Sequence, residues 1–438
     1  MARHRETACA SQSTETVHDM TAPSIAIRPA LAHGDIADVP GKRVRAINRV
    51  VLFNVKYSPN LGDGLLSECL ERELMRSLPD CEVVSVDLAG RTEYPASHGR
   101  ARGLALALLD RCPAPLRQVA ARAMLEMLLR TRLRGRYRVG LSGADAVVIG
   151  GGNLLTDSDL NFPMKISGAL AEAARLSLPV SVYAVGVAPK WSDAGARLFT
   201  RAFANARLTW ASVRDIRSQE GWAAHFGPRA VLAEVVVDPG VLASLHYPPA
   251  PRSLSGRKVG FCVTDPLAVR YHSDKTSAAT LEDWYPAALR SLVEAGFEVA
   301  LFTNGSPEDR EYLHGRFYDW IHHARGPVTL SPSFETPADL AAFVSGCNAI
   351  VGHRMHACIA AYSFGVPAIG LRWDVKLDSF FELAGRGNHM LDPASVEAGD
   401  VGTRTAAAIA DHLDPAPLIA RACREVAEFA ARLQDAMP

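Results

Sequence analysis

The chain has 438 residues, with 47 basic side chains balanced by 47 acidic ones, a length too great for one ordinary core and sufficient for two domains. That balance argues against non-specific nucleic-acid binding, which needs a basic excess, and no run of apolar residues is long enough to cross a membrane. Eight scattered cysteines without a CxxC pair read as reduced thiols, and the first twenty residues lack the apolar stretch of a signal peptide, so the expectation is a soluble cytoplasmic protein.

Residues 1–45 carry no sustained periodicity and are expected to form a disordered tail. Order is expected from a β-branched run, Arg49–Val55, followed by a turn through Asn60-Leu61-Gly62-Asp63 and helical spacing over Leu65–Leu78. A second strand is expected at Cys81–Leu88. Residues 91–140 differ in kind: eleven arginines stand against three carboxylates, with Leu, Ala and Met at helical intervals. This predicts a basic helical insertion. It is either a solvated face or a contact with an anionic membrane surface or lipid-linked pyrophosphate.

Strands are then expected at Ala146–Ile149, Pro179–Val187, Leu208–Val213 and Val235–Val237, with helices over Met164–Leu176 and Asp193–Asn205. Tyr247–Gly256, rich in Pro and Ser, is the best candidate linker. A second series follows, with strands Lys258–Val263 and Glu298–Thr303 and helices Trp284–Ala295, Pro307–Tyr318 and Pro337–Ser345. It closes on the strand–turn–helix–strand run Val351–Lys376. Amphipathic helices over Val401–Leu413 and Pro417–Leu433 are expected to pack around the hinge. Strands alternating with helices predict parallel sheets covered on both faces. The domains are placed at residues 46–247 and 248–438, and the ligand site at the strand carboxyl ends facing a cleft.

Four clusters sit just after predicted strands. At Asn60-Leu61-Gly62-Asp63, the glycine permits a tight turn; Asp63 either caps a helix or accepts a proton from an acceptor hydroxyl. Gly150-Gly151-Gly152-Asn153 would let a ligand approach the backbone, without the spacing of a dinucleotide loop. Arg214-Asp215 is either an ion pair or half of an anion clamp. The fourth cluster gathers His353, Arg354 and His356, with Lys376 one strand later, as cationic groups able to hold a small dianion. Its HxxH spacing finds no acidic or cysteine cluster beside it, so no metal is expected.

Together with Asp238-Pro239, these segments (NLGD, GGGN, SVRD and RMHACIAAYSFGVPAIG followed by WDVK) resemble the polysaccharide pyruvyltransferase family over roughly residues 48–385. The resemblance implies an α/β fold of two Rossmann-like domains in a GT-B-like bilobed arrangement. It also implies transfer of pyruvyl groups from phosphoenolpyruvate to sugar hydroxyls without a cofactor. The family's arginine–histidine donor pair falls on Arg354 and His356, and a further arginine on Arg214. His353 stands where many relatives carry a small hydroxyl residue.

On that basis Arg354, Arg214, Lys376 and His353 are expected to bind the donor. His356 is expected to act as general acid and Asp63 to orient or deprotonate the acceptor, with Asn60, Gly62, Gly151, Gly152 and Asn153 beside it. The implied partners are phosphoenolpyruvate and a glycan or lipid-linked oligosaccharide, with peripheral contact at the inner membrane and no nucleic acid. Two rivals are a nucleotide-sugar glycosyltransferase or epimerase and a non-catalytic glycan-assembly subunit. The first usually places a ribose-binding carboxylate in the helix after the cationic cluster, and Cys358–Phe364 contains none.

Overall fold

The computed structural model describes residues 46–94, 114–157, 159–227, 231–253, 255–266, 278–323 and 327–437. The expected tail and residues 95–113 of the basic insertion lie outside the described residues. Within them, twelve strands form two six-stranded sheets, parallel throughout. The first contains β1 (Arg49–Asn54), β2 (Glu82–Asp87), β3 (Ala146–Gly150), β4 (Pro179–Val185), β5 (Arg207–Val213) and β6 (Ala233–Val235), in the order β2-β1-β3-β4-β5-β6. The second contains β7 (Lys258–Cys262), β8 (Glu298–Phe302), β9 (Val328–Leu330), β10 (Ala349–Gly352), β11 (Ala368–Leu371) and β12 (Met390–Leu391), in the order β12-β11-β10-β7-β8-β9.

Central strands such as AVVIG and PVSVYAV are buried at every residue. Helices cover both sheet faces, so these strands read as continuous apolar runs rather than as alternation. In the first sheet the chain leaves β1 toward β2 on one side and returns to β3 on the other. In the second, β7 stands between β8 and β10 in the same way. Each reversal opens a crevice at the strand carboxyl ends. The Asn60, Gly150 and His353 clusters follow β1, β3 and β10 at these points, Lys376 follows the neighbouring β11, and Arg214 follows β5, two strands beyond β3.

One apolar cluster runs through both lobes, beside a separate cluster in each. Leu61 and Leu65 of the Leu61–Ser77 helix belong to the same cluster as Phe302, Ile350 and Ile359, and the Leu61 N–H donates to the Asn304 carbonyl at 2.7 Å. The last helix, Ala416–Asp435, follows the second sheet in sequence yet packs on the first. Its Phe429 ring lies 4.7 Å from Tyr183 and 4.9 Å from Trp210. Glu425 accepts from the Val237 N–H at 2.7 Å.

Three expectations change. The first helix starts at Leu61 rather than Leu65 because Asn60 caps it. Tyr247, taken as the start of a linker, is buried with its hydroxyl donating to Glu68 at 2.8 Å. Helices at Ile216–Phe226 and Val375–Leu383 were not expected; Asp215 and Asp374 cap them. The described part of the basic insertion is a continuous arm of Ala114–Leu128, a π turn Leu129–Leu133 and Arg134–Gly140.

Candidate active site

At the start of the first helix, Asn60 Oδ1 accepts from the Gly62 N–H at 3.3 Å. Asn60 is therefore the cap, and Asp63 in the first turn is left to face the cleft. From the second lobe, β10 ends at Gly352, Arg354 takes the N-cap position of the Met355–Ser363 helix without a side-chain capping bond, and His356 sits in its first turn. Asp63 Oδ1 and His356 Nδ1 meet across the cleft at 3.7 Å. A Cβ at Gly62 would lie 2.5 Å from His356 Cβ. The bare backbone at Gly62 thus admits the facing histidine, a correction to its expected role beside an acceptor.

The cleft has a volume of about 300 Å³. The first lobe contributes Asn60, Asp63, Asn153 and Arg214, and the second Arg354, His356, Trp373 and Lys376. Arg354 Nε donates to Asp309 Oδ2 at 2.8 Å, its Nη2 lies 2.5 Å from the same oxygen, and its guanidinium stands 5.2 Å from the centre of the Trp373 ring. Burial opposes the Arg354 charge, but Asp309 more than compensates and holds its pKa above the usual guanidinium value. Lys376 Nζ pairs with Asp374 at 2.7 Å. Burial lowers its pKa against that pull.

Arg214 follows β5 with its side chain 3% exposed, Nε 3.5 Å from Asp215 Oδ2. Asp215 meanwhile caps the next helix through the Ser218 N–H at 2.7 Å. A Cβ at Gly186 would lie 2.6 Å from both Arg214 Nη2 and Asn153 Oδ1, so that glycine lets the two groups converge. Among the described residues Arg214 Nε and Nη2, Asn153 Oδ1, His356 Nε2 and Asp238 Oδ2 are buried without a hydrogen-bond partner. Each such group costs about 1–3 kcal/mol unless something satisfies it. Of the eleven buried side-chain atoms without a partner among the described residues, four belong to Arg214, Asn153 and His356, which line the cleft together and leave it polar groups for a ligand to satisfy.

Charge in the cleft is tuned by burial. It drives His356 down to about 4; Asp63 pulls the other way, and Arg214, Lys376 and Arg354 push further down. Burial raises Asp63 against the field of His356. Burial also raises Asp238, which accepts from the Gly240 N–H at 2.9 Å and faces Arg214.

Two expected assignments are corrected. His353 does not line the cleft. It is fully buried, its Nδ1 2.8 Å from the Leu371 carbonyl and its ring packed near Tyr285 and Trp373, because successive side chains leaving a strand point to opposite sides. Gly151, at φ 73°, makes room for Leu66 rather than for a ligand; Gly152, at φ 75°, has open space around it, and Asn153 is the residue of this turn that reaches the cleft. Asp309, Asn304, Trp373 and Gly186 were not singled out from the sequence. Asp309 resembles any first-turn carboxylate, and only Trp373, inside WDVK, lay in a quoted motif. Among the described residues no group of three or more His, Cys, Asp or Glu is arranged to hold a metal ion.

Facing switch-point crevices with a cationic, partly unsatisfied lining define a GT-B-like bilobed α/β protein. A family model for polysaccharide pyruvyl transferases matches residues 60–375, most of the chain, and the protein belongs to that family. Its fold is similar to that of a putative UDP-N-acetylglucosamine 2-epimerase from Listeria monocytogenes, with a TM-score of 0.52 at 10% identity over 87% of this chain and 91% of that one. At such identity the likeness is one of fold alone. The UDP-GlcNAc 2-epimerase of Methanocaldococcus jannaschii, in complex with UDP-GlcNAc and UDP, aligns with a TM-score of 0.45 at 10% identity over 84% and 93% of the two chains. No curated protein matches the chain.

Proposed function

We propose that the protein transfers a pyruvyl group from phosphoenolpyruvate to sugar hydroxyls, forming a cyclic ketal on a bacterial surface glycan or exopolysaccharide. The observation that carries this reading is the convergence of Arg354, Lys376 and the unsatisfied Arg214 on one small cleft with His356 and Asp63. The donor carries a phosphate and a carboxylate, and several fixed cations are the groups that bind such a pair. Asp309 and Trp373 preset the Arg354 fork, so little freedom is lost on binding. The opening N–H groups of the Met355–Ser363 helix add further donors.

In this reading His356 delivers a proton to the methylene carbon, C3, and C2 becomes electrophilic. An acceptor hydroxyl, losing its proton to Asp63, forms a bond to C2. The C2–O bond to phosphate then breaks, and phosphate leaves with the bonding pair. A neighbouring hydroxyl closes on C2 and releases its proton, giving ketal and inorganic phosphate. Burial lowers the His356 pKa and the neighbouring cations push it further down; the negative charge of a bound donor offsets the cations and so favours the protonated imidazole. Arg354 and Arg214 stabilise the departing phosphate.

Phosphate release from phosphoenolpyruvate in the presence of candidate glycans tests the proposal. His356→Ala is expected to lower turnover by about 10²–10⁴ while donor affinity is largely retained. Near wild-type turnover in that variant would sink the assignment. Thermal stabilisation by UDP- or GDP-sugars and not by phosphoenolpyruvate would move the site to nucleotide-sugar chemistry.

A further inference from the structure

The helical arm Ala114–Gly140 takes no part in this chemistry, and its surface is ordered in lines. Leu125, Leu129, Leu133 and Tyr137 recur every fourth residue on the inner side, the last three at most 5% exposed. Across from them runs a second line with the same spacing: Ala123, Met127, Thr131, Gly135 and Val139, all exposed. In a regular α-helix residues four apart drift by about 40° around the axis. The underwound π turn Leu129–Leu133 offsets part of that drift, so both lines keep to their own sides of the arm.

The outer line carries no charge, and Met127 and Val139 on it are 66% and 76% exposed. Seven arginines and one carboxylate, Glu126, occupy the arm. Arg130, Arg134 and Arg138 follow one shoulder of the outer line, and Arg132 and Arg136 the other. Arg130 pairs with Glu126 and Arg138 with Glu172; Arg132, Arg134 and Arg136 form no ion pair with another described residue.

We infer that this face docks on the anionic surface of a lipid bilayer. The arm lies in the interface, its uncharged crest toward the acyl boundary and its arginine shoulders among the phosphate headgroups. A nucleic acid would leave the apolar crest without a partner. A second copy of the chain would set arginine shoulders against arginine shoulders. The arm rests on the Asn161–Arg175 helix: a Cβ at Gly168 would lie 3.2 Å from Leu129 and 3.5 Å from Tyr137. The first turn of that helix places Phe162 in the cleft wall. Docking therefore holds the cleft close to lipid headgroups. Only the use of that position, to meet a lipid-linked glycan, rests on the proposed function; the docking surface does not.

The test is sedimentation of the full-length protein with sucrose-loaded vesicles, either pure phosphatidylcholine or mixed with phosphatidylglycerol, at low and high salt. Binding is expected to the anionic vesicles alone and to fall with salt. Joint substitution R130Q, R132Q and R134Q is expected to weaken it on the order of a hundredfold, at about fivefold per arginine. M127S with V139S should weaken it severalfold and leave the salt dependence intact. Both variants change exposed side chains, and unaltered circular dichroism and phosphate release with a soluble acceptor would show that the fold is kept. Failure of the wild type to bind anionic vesicles, or equal binding by the triple variant, overturns the inference. So does self-association that M127S with V139S abolishes, or binding of a soluble polyanion in place of vesicles. Vesicle binding that persists in a protein with no phosphate release supports the surface and counts only against the donor reading.

Discussion

At the scale of single residues the site depends on one close approach. His356 reaches Asp63 because Gly62 has no side chain, and the atom a methyl group would strike is His356 Cβ, fixed to a buried helix. Gly62→Ala cannot be absorbed by a rotamer change. It is expected to cost about 1–3 kcal/mol of stability and to lower turnover on the order of a hundredfold by shifting the general acid relative to its partner. Turnover and urea unfolding of the variant check this, and wild-type turnover would show that the 3.7 Å approach is dispensable. The cationic cluster itself was legible in RMH and WDVK, since unlike residue types crowded after a strand can be counted on the page. Which of His353, Arg354 and His356 enters the cleft was not. That depends on where β10 ends and which way the chain turns, and His353 turned inward.

At the scale of elements, apolar runs and helical spacing located most strands and helices to within a few residues. Two capped helices escaped, Ile216–Phe226 and Val375–Leu383: their caps, Asp215 and Asp374, lie in segments read for site chemistry rather than as helix starts. The Ala416–Asp435 helix was legible as amphipathic, but its partner was not. Phe429 is fully buried against Tyr183 and Trp210 of the first sheet. Phe429→Ala is expected to destabilise the protein by about 3–5 kcal/mol, seen as a lower urea midpoint. A loss below about 1 kcal/mol would mean that the helix end frays from the sheet rather than binding the lobes together.

For the molecule as a whole, stability is linked to the buried histidines. Burial lowers His353 to about 3 and His356 to about 4, both from 6.5. The unfolded chain takes up these protons near pH 6.5, while the folded protein refuses them until lower pH. Their contribution is therefore complete above 6.5 and declines as pH falls toward 4, by about 1.4 kcal/mol per pH unit for each histidine. Asp63, Asp238 and Asp309, raised by burial, act with the opposite sign at the acid end. Urea midpoints between about pH 7 and pH 4.5 should fall in the wild type and fall less in His353→Gln. A flat profile would mean that His353 takes its proton in place.

Residue order alone determined the alternation of strand and helix, the parallel sheets that follow from it and the chemical character of the site, because backbone periodicity and side-chain chemistry are local properties. The meeting of Asp63 with His356, the anchoring of Arg354 by Asp309 and the return of the last helix to the first sheet were decided by the tertiary structure. Each joins residues far apart in the chain: strand order within the second sheet brings Asp309 to Arg354, and the packing of the two lobes across their shared apolar cluster sets the other two distances.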